Sequence, residues 1–264
     1  MRVPPPFALP LLALLCTVAP LRAEILVKSG EKIAFLGDSI TQQGWGSPAG
    51  YVRLVISGLA ANGVDAEPIP AGISGHKSND MLARLQKDVL DKKPNWMTLS
   101  CGVNDVWHGA NGVPLEDAAP GTGGSPESAA KLPRGTFKKN ITELIDKTQA
   151  AGVKPVILTA TVIKEDLSSP ENAKLEAYNQ FLRDLAAERK IPVADLNAMF
   201  QERLKAENKP GEKVLTGDGV HMNAEGNKLM ALGVLKAFGL NEQQLQIAKD
   251  AWAKPTPAPA ATPK

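Results

Sequence analysis

The sequence predicts a parallel β-sheet covered by helices on both faces, and three observations carry that expectation. Apolar runs such as Ile33-Ala34-Phe35-Leu36, Trp96 to Cys101 and Val156 to Thr159 show no polar–apolar alternation, so both faces of each strand should be buried. Apolar residues at helical spacing follow each run. Strand and helix alternate five times, the rhythm of repeated βαβ units.

The first strand, beginning at Lys32, ends abruptly in Gly37-Asp38-Ser39. Tyr51, Leu54, Val55 and Leu59 then mark a helix that Asn62-Gly63 closes. Val64 to Ile69 reads as the second strand, and Asp80 as the cap of a helix carrying Met81, Leu85 and Val89, stopped by Lys93-Pro94. The third strand, Trp96 to Cys101, ends at Gly102-Val103-Asn104-Asp105. Thr136 caps a helix with Phe137, Ile141, Leu144 and Ile145 inward, ended by Gly152, and Val156 to Thr159 is the fourth strand. A longer helix through Leu175, Tyr178, Leu182 and Leu185 leads to the short fifth strand Ile191 to Ala194 and its turn at Asp195. Leu196, Met199, Phe200 and Leu204 form a further helical face, and the last core helix runs from near Ala224 to Phe238.

Three segments fall outside this rhythm. Arg2, the apolar run Phe7 to Val18 and Leu21-Arg22-Ala23 have the layout of a secretion signal, expected to occupy residues 1–23. The run is short for a bilayer span. Cys16 as a lipoprotein anchor competes with that reading, but Leu15 precedes it where such processing wants a small residue. Residues 111–135, rich in Gly, Pro, Ser and Ala, read as a long loop leaving the sheet edge that carries Ser39, a lid or substrate-contacting segment. Residues 254–264, rich in Pro and Ala, read as an unpacked tail, leaving one domain at 24–253.

At 264 residues and 43% hydrophobic, the chain can bury one sizeable core. Its formal charge of +2 disappears once Arg2 and Arg22 leave with the signal, and no block of Lys and Arg occurs, which argues against nucleic acid or an anionic membrane as partner. Cys101 then stands alone, read as a small buried hydrophobe. The Asn140-Ile141-Thr142 sequon is read as chance, because Ile141 belongs to an inward helical face.

A parallel sheet brings the C-terminal ends of its strands to one edge, so the polar residues there should meet. These are Asp38-Ser39, Gly72-Ile73-Ser74-Gly75-His76, Gly102-Val103-Asn104-Asp105 and, before the last core helix, Asp218-Gly219-Val220-His221. A serine hydroxyl becomes a nucleophile when a base takes its proton and a third group orients that base. Of His76, His108 and His221, the last has a carboxylate three residues earlier across a glycine turn, close enough to fold back on the imidazole. Acyl transfer also needs donors aimed at the developing oxyanion, which the Ser39 and Gly75 amides and the Asn104 side chain could supply.

Taken in this order, the four blocks closely resemble the SGNH or GDSL family of serine esterases and lipases. The resemblance implies a three-layer α/β/α, flavodoxin-like fold with a five-stranded parallel sheet. It also implies Ser39 as nucleophile, His221 as base, Asp218 as its partner, and Ser39, Gly75 and Asn104 as the oxyanion hole. Gly72 competes with Gly75 for the glycine role; Gly75 is preferred because it follows an Ile-Ser pair and precedes a polar residue. No metal or other cofactor is expected, since neither HExxH nor a Cys/His cluster occurs, and no Walker A or GxGxxG sequence follows a strand.

The expected protein is an exported or periplasmic ester hydrolase, with a small-molecule or glycan ester as substrate. The flanks lean towards a short acyl group, such as O-acetyl, on carbohydrate. Residues 111–135 hold no long apolar stretch for an aliphatic tail, and Trp45, Trp107 and His108 lie near the proposed site. Lysophospholipase or thioesterase activity, and a non-catalytic glycan-binding module, are the alternatives.

Overall fold

The structure, a computed structural model, describes residues 24–117, 135–209 and 211–254. The expected signal at 1–23, most of the expected loop (118–134) and nearly all of the expected tail (255–264) lie outside the described residues.

Five strands, β1 (Lys32–Gly37), β2 (Glu67–Gly72), β3 (Trp96–Ser100), β4 (Lys154–Leu158) and β5 (Val193–Ala194), form one sheet in the order β2-β1-β3-β4-β5, and every pairing is parallel. The central strands are the apolar runs: Ile33 to Leu36 are fully buried and β3 has no exposed position. The helices are α1 (Ser39–Gly46), α2 (Tyr51–Ala61), α3 (Ser78–Asp88), α4 (Val103–Trp107), α5 (Phe137–Ala150), α6 (Pro170–Arg189), α7 (Leu196–Glu207), α8 (Ala224–Ala237) and α9 (Glu242–Ala253). They cover both sides of the sheet, with α2 packed on α8 and α9, and α3 on α5. This is the expected three-layer α/β fold. The order reverses between β1 and β3, and ligands bind beyond the carboxyl ends of strands at such a reversal.

The structure moves some boundaries. β2 begins at Glu67, three residues later than the apolar pattern indicated, and contains Pro68 and Pro70. Glu67 donates to Glu31 O and Ile73 to Gly37 O, so the N–H groups of alternate residues face β1. The two prolines fall on the intervening positions, where their missing N–H would point away from an edge strand. Asp80 is not the cap of α3; the helix starts at Ser78, and Asp80 sits in its first turn, accepting from Lys77 N at 3.0 Å. α9 was not read at all. It packs on α2 through Ala248 and Trp252, whose Nε1 donates to Leu54 O at 3.1 Å.

The long loop also differs at its start. Val113 is buried, its N–H donates to Asp105 O, and Pro114 O and Leu115 O accept from Phe137 N and Lys138 N. Lys138 pairs with Glu116 at 2.6 Å and Lys139 with Asp117 at 2.5 Å. Residues 113–117 are thus docked on the start of α5. Asn140 of the sequon is buried, donating to Ser78 Oγ at 3.1 Å.

Candidate active site

The chain enters the site from β1. Gly37 ends the strand, Asp38 caps α1 by accepting from Ile40 N at 2.9 Å, and Ser39 is the first helical residue. The first N–H groups of a helix have no partner within it. Ile40 N is taken by Asp38 and Gln42 N by Asp38 O, and among the described residues the Ser39 N–H has no acceptor, at the positive end of α1 beside its own hydroxyl.

Asp38 is itself buried, and burial, reinforced by the nearby Asp105 carboxylate, pushes its pKa up to about 7 despite the opposing Ile40 N–H bond. A carboxyl favoured in its neutral form by folding supports stability below its unfolded pKa and loses that support as pH rises through the folded value. Asp38→Asn stays neutral throughout. Its melting temperature relative to the unsubstituted protein should therefore rise between pH 5 and pH 8, and a constant difference in paired thermal melts would contradict this account.

Across the reversal in strand order, the turn after β2 carries Gly75. Gln42 Oε1 takes the Ser74 N–H at 3.0 Å and Ile73 O takes that of His76 at 3.3 Å, so among the described residues the Gly75 N–H alone of these three has no acceptor. Gly75 adopts φ +76°, a left-handed conformation that favours glycine. Gly72 serves differently: a Cβ there would lie 2.3 Å from Gln42 N, so its absence lets α1 approach β2.

After β3, Asn104 is buried at the start of α4. Its Nδ2 donates to His76 O at 3.2 Å and its Oδ1 faces His108 Nε2 at 3.1 Å. An amide oxygen only accepts, so His108 donates from Nε2, and the amide orientation is fixed from both ends. One N–H of the Asn104 amide remains beyond the bond to His76. Asp105, one residue on, is fully buried; it accepts from Ser78 N at 3.0 Å, Ser78 Oγ at 2.6 Å and Cys101 Sγ at 3.5 Å. Cys101 is the buried small residue expected, its thiol pKa pushed well up by burial.

The loop before α8 brings the fourth block to Ser39. Asp218 Oδ1 accepts from Val220 N at 2.9 Å and His221 N at 2.7 Å, while Oδ2 meets His221 Nδ1 at 2.6 Å. A carboxylate can only accept, which puts the ring proton on Nδ1 and leaves Nε2 as an acceptor 2.9 Å from Ser39 Oγ. Burial acts to raise the Asp218 pKa, but the bonds from the His221 ring and from the His221 and Val220 amides outweigh it and hold the carboxyl well below the usual range. It is therefore ionised throughout the neutral range.

Ser39, Gly75, Asn104, Asp218 and His221 thus meet at one sheet edge. Neither His76 nor His108 hydrogen-bonds Ser39 among the described residues, yet both hold the Asn104 amide, through the His76 carbonyl and the His108 ring. Sequence reading missed these supports. It also missed Glu165, which accepts from Val214 N at 2.7 Å, Leu215 N at 3.1 Å and Thr216 Oγ1, pinning the approach to Asp218. Three or more His, Cys, Asp or Glu arranged to hold a metal ion do not occur among the described residues.

The profile of the GDSL-like lipase/acylhydrolase family matches residues 35–229. An acetylxylan esterase of Geobacillus stearothermophilus is 27% identical over 225 residues, covering 81% of this chain and 96% of that protein. The crystal structure of the acetyl xylan esterase AlAXEase superposes with a TM-score of 0.63 at 33% identity, covering 78% of this chain and 98% of that one. An uncharacterized lipoprotein of Bacillus subtilis (strain 168), YqeF, is 25% identical over 186 residues, covering 62% of this chain and 70% of its own length. Four motif blocks that converge on one sheet edge, within a matched stretch spanning most of the chain, lead to one conclusion: the chain belongs to the GDSL-like lipase/acylhydrolase family and is a carboxylic ester hydrolase.

Proposed function

We propose that this protein removes short acyl groups, acetyl above all, from carbohydrate by means of a Ser39-His221-Asp218 triad. The observation that carries the reading is the unbroken line of contacts from Ser39 Oγ to His221 Nε2 at 2.9 Å and from His221 Nδ1 to Asp218 at 2.6 Å. Ser39 Oγ attacks the ester carbonyl carbon as His221 Nε2 takes its proton. The carbonyl oxygen becomes an oxyanion beside the Ser39 and Gly75 N–H groups and the free N–H of Asn104. The tetrahedral intermediate collapses, the C–O bond to the alcohol breaks, and His221 returns its proton to the leaving alkoxide. Water, deprotonated by the same nitrogen, then attacks the acyl carbon; the bond from that carbon to Ser39 Oγ breaks, the acid leaves, and His221 returns the proton to Ser39 Oγ. Asp218 stays ionised and stabilises the imidazolium of each half-reaction. Proton and charge balance close on these side chains.

The carbohydrate preference is supported by the acetylxylan esterase relatives and by what flanks the site. Trp107, on α4 just after Asn104, and Ile73, just before Gly75, are among the exposed large apolar side chains. An aromatic face such as that of Trp107 can stack on a sugar ring. Export is supported by the apolar N-terminal run of the sequence and by the lipoprotein relative, and among the described residues no helix is long and apolar enough to cross a membrane.

The test is activity on acetylated xylo-oligosaccharides, other acetylated polysaccharides and long-chain lysolipids, with Ser39→Ala as control. Acetate release from the glycans with little from lysolipids is expected; the reverse ranking would replace this substrate class by a lysophospholipase. Asn104→Ala should lower kcat about 10²- to 10³-fold with little change in KM, because the missing donor acts on charge that exists only in the transition state. A loss confined to KM would remove Asn104 from the oxyanion hole.

A further inference from the structure

The geometry points to Arg84 as the positioning residue that sets the nucleophile and the oxyanion donors in register with one another. This inference rests on the Ser39 acyl-transfer reading above. Arg84 lies on α3, outside all four sequence blocks, and its side chain is only 10% exposed. Its planar guanidinium bonds in three directions: Nη2 to Gly37 O at 2.8 Å, Nε to His76 Nδ1 at 3.0 Å and Nη1 to Asp88 Oδ2 at 3.1 Å.

The first two contacts reach different arms of the site. Gly37 is the last residue of β1, two before the nucleophile, and its carbonyl also accepts from Ile73 N, the entry to the Gly75 turn. His76 follows Gly75 directly, and its carbonyl accepts from Asn104 Nδ2. Each of the three oxyanion donors therefore lies within two residues, or one further hydrogen bond, of a residue that this guanidinium holds. Arg84 Nε–H can only donate, so His76 is held as the neutral ring with its proton on Nε2. That fixes the ring and, through it, the backbone between Gly75 and the Asn104 contact. Asp88 supplies the counter-charge on the third side, at the far end of the same helix turn. α3 is itself clamped, since Ser78 at its start donates twice to buried Asp105, the neighbour of Asn104.

A rigid fork of this kind has no equivalent in lysine, whose single nitrogen cannot meet Gly37 O and His76 Nδ1 together. Displacing oxyanion donors by about an ångström from where the charge develops is enough to cost on the order of 10²-fold in rate. Because the substrate's ground state does not use these donors fully, the loss should fall on kcat and not on KM.

The experiment compares Arg84→Ala, Arg84→Lys, His76→Ala and the Arg84→Ala/His76→Ala double variant, with Ser39→Ala alongside. Turnover of p-nitrophenyl acetate, the rate of covalent labelling by a fluorophosphonate and the melting temperature are measured for each. Both Arg84 variants are expected to lose about 10²-fold in kcat with KM unchanged. Labelling should slow in step, and the double variant should be no slower than Arg84→Ala, because both changes cut the same link. If Arg84→Ala does not fold, Arg84→Lys, which keeps charge and stem, carries the comparison. Wild-type kcat and labelling in an Arg84 variant, with Ser39→Ala inactive, would overturn the inference. So would a parallel change in kcat and KM tracking a lowered melting temperature in both variants, the signature of a purely structural arginine. Activity retained by Ser39→Ala would instead overturn the nucleophile assignment on which the inference rests.

Discussion

Ser39→Ala is expected to lower kcat for a short p-nitrophenyl ester by about 10⁶-fold, the scale on which serine hydrolases lose activity when the nucleophile is removed. The hydroxyl is 2.9 Å from the His221 ring and Ser39 is nearly buried, so exchanging it for a methyl group removes one hydrogen bond and creates no cavity of consequence. Melting temperature should stay close to that of the unsubstituted protein, and a residual rate above the uncatalysed reaction should persist from the intact oxyanion donors. The variant should still bind acetylated oligosaccharide while losing all fluorophosphonate labelling. A module that only bound glycan would give the binding and never the labelling, in either form. Turnover retained by this variant would show that another residue attacks the ester.

His221→Ala is the second large effect, again about 10⁶-fold in kcat. Without the ring, Ser39 has no base, Asp218 keeps its two backbone N–H bonds but faces nothing it can orient, and the leaving alkoxide has no proton donor. The double variant Ser39→Ala/His221→Ala should be no slower than either single one, because the two side chains act as a unit. Additive losses would mean that they contribute separately and would break the triad assignment. Kinetics of the three proteins on one chromogenic acetate ester decide the point.

Much of the fold, and the meeting of the polar blocks at one sheet edge, was legible in the sequence, and the reasons are physical. β1, β3 and β4 are buried on both faces, which forces uninterrupted apolar runs, and Ser39, the Asn104 block and the Asp218-His221 pair sit at chain positions where a strand or loop stops short. Local spacing suffices for Asp218 and His221 because the turn between them is closed by the very carboxylate that orients the ring. β2 is expected too early because apolar Val64 and Ala66 belong to the turn after α2, Val64 N bonding back to Leu59 O, and it is expected to end too soon because Pro70, on the outer side of an edge strand, looks like a strand breaker until the side is known. α9 went unread although Asn241 and Gln244 form a capping box at its start, each side chain bonding the other's backbone; that signal was present and could have found it. Arg84, His76, His108 and Glu165 were not legible as supports. Each acts through a carbonyl, ring or amide brought near by packing between elements, and no spacing within one segment encodes that.

The docking of residues 113–117 on the start of α5 has a geometric consequence. Two backbone bonds and two ion pairs hold the flanks of residues 118–134 together independently of whatever lies between them. The same contacts fix where the chain leaves the described fold and where it rejoins it, and the point of departure is tied to α4, the helix that carries Asn104, through the bond from Val113 N to Asp105 O.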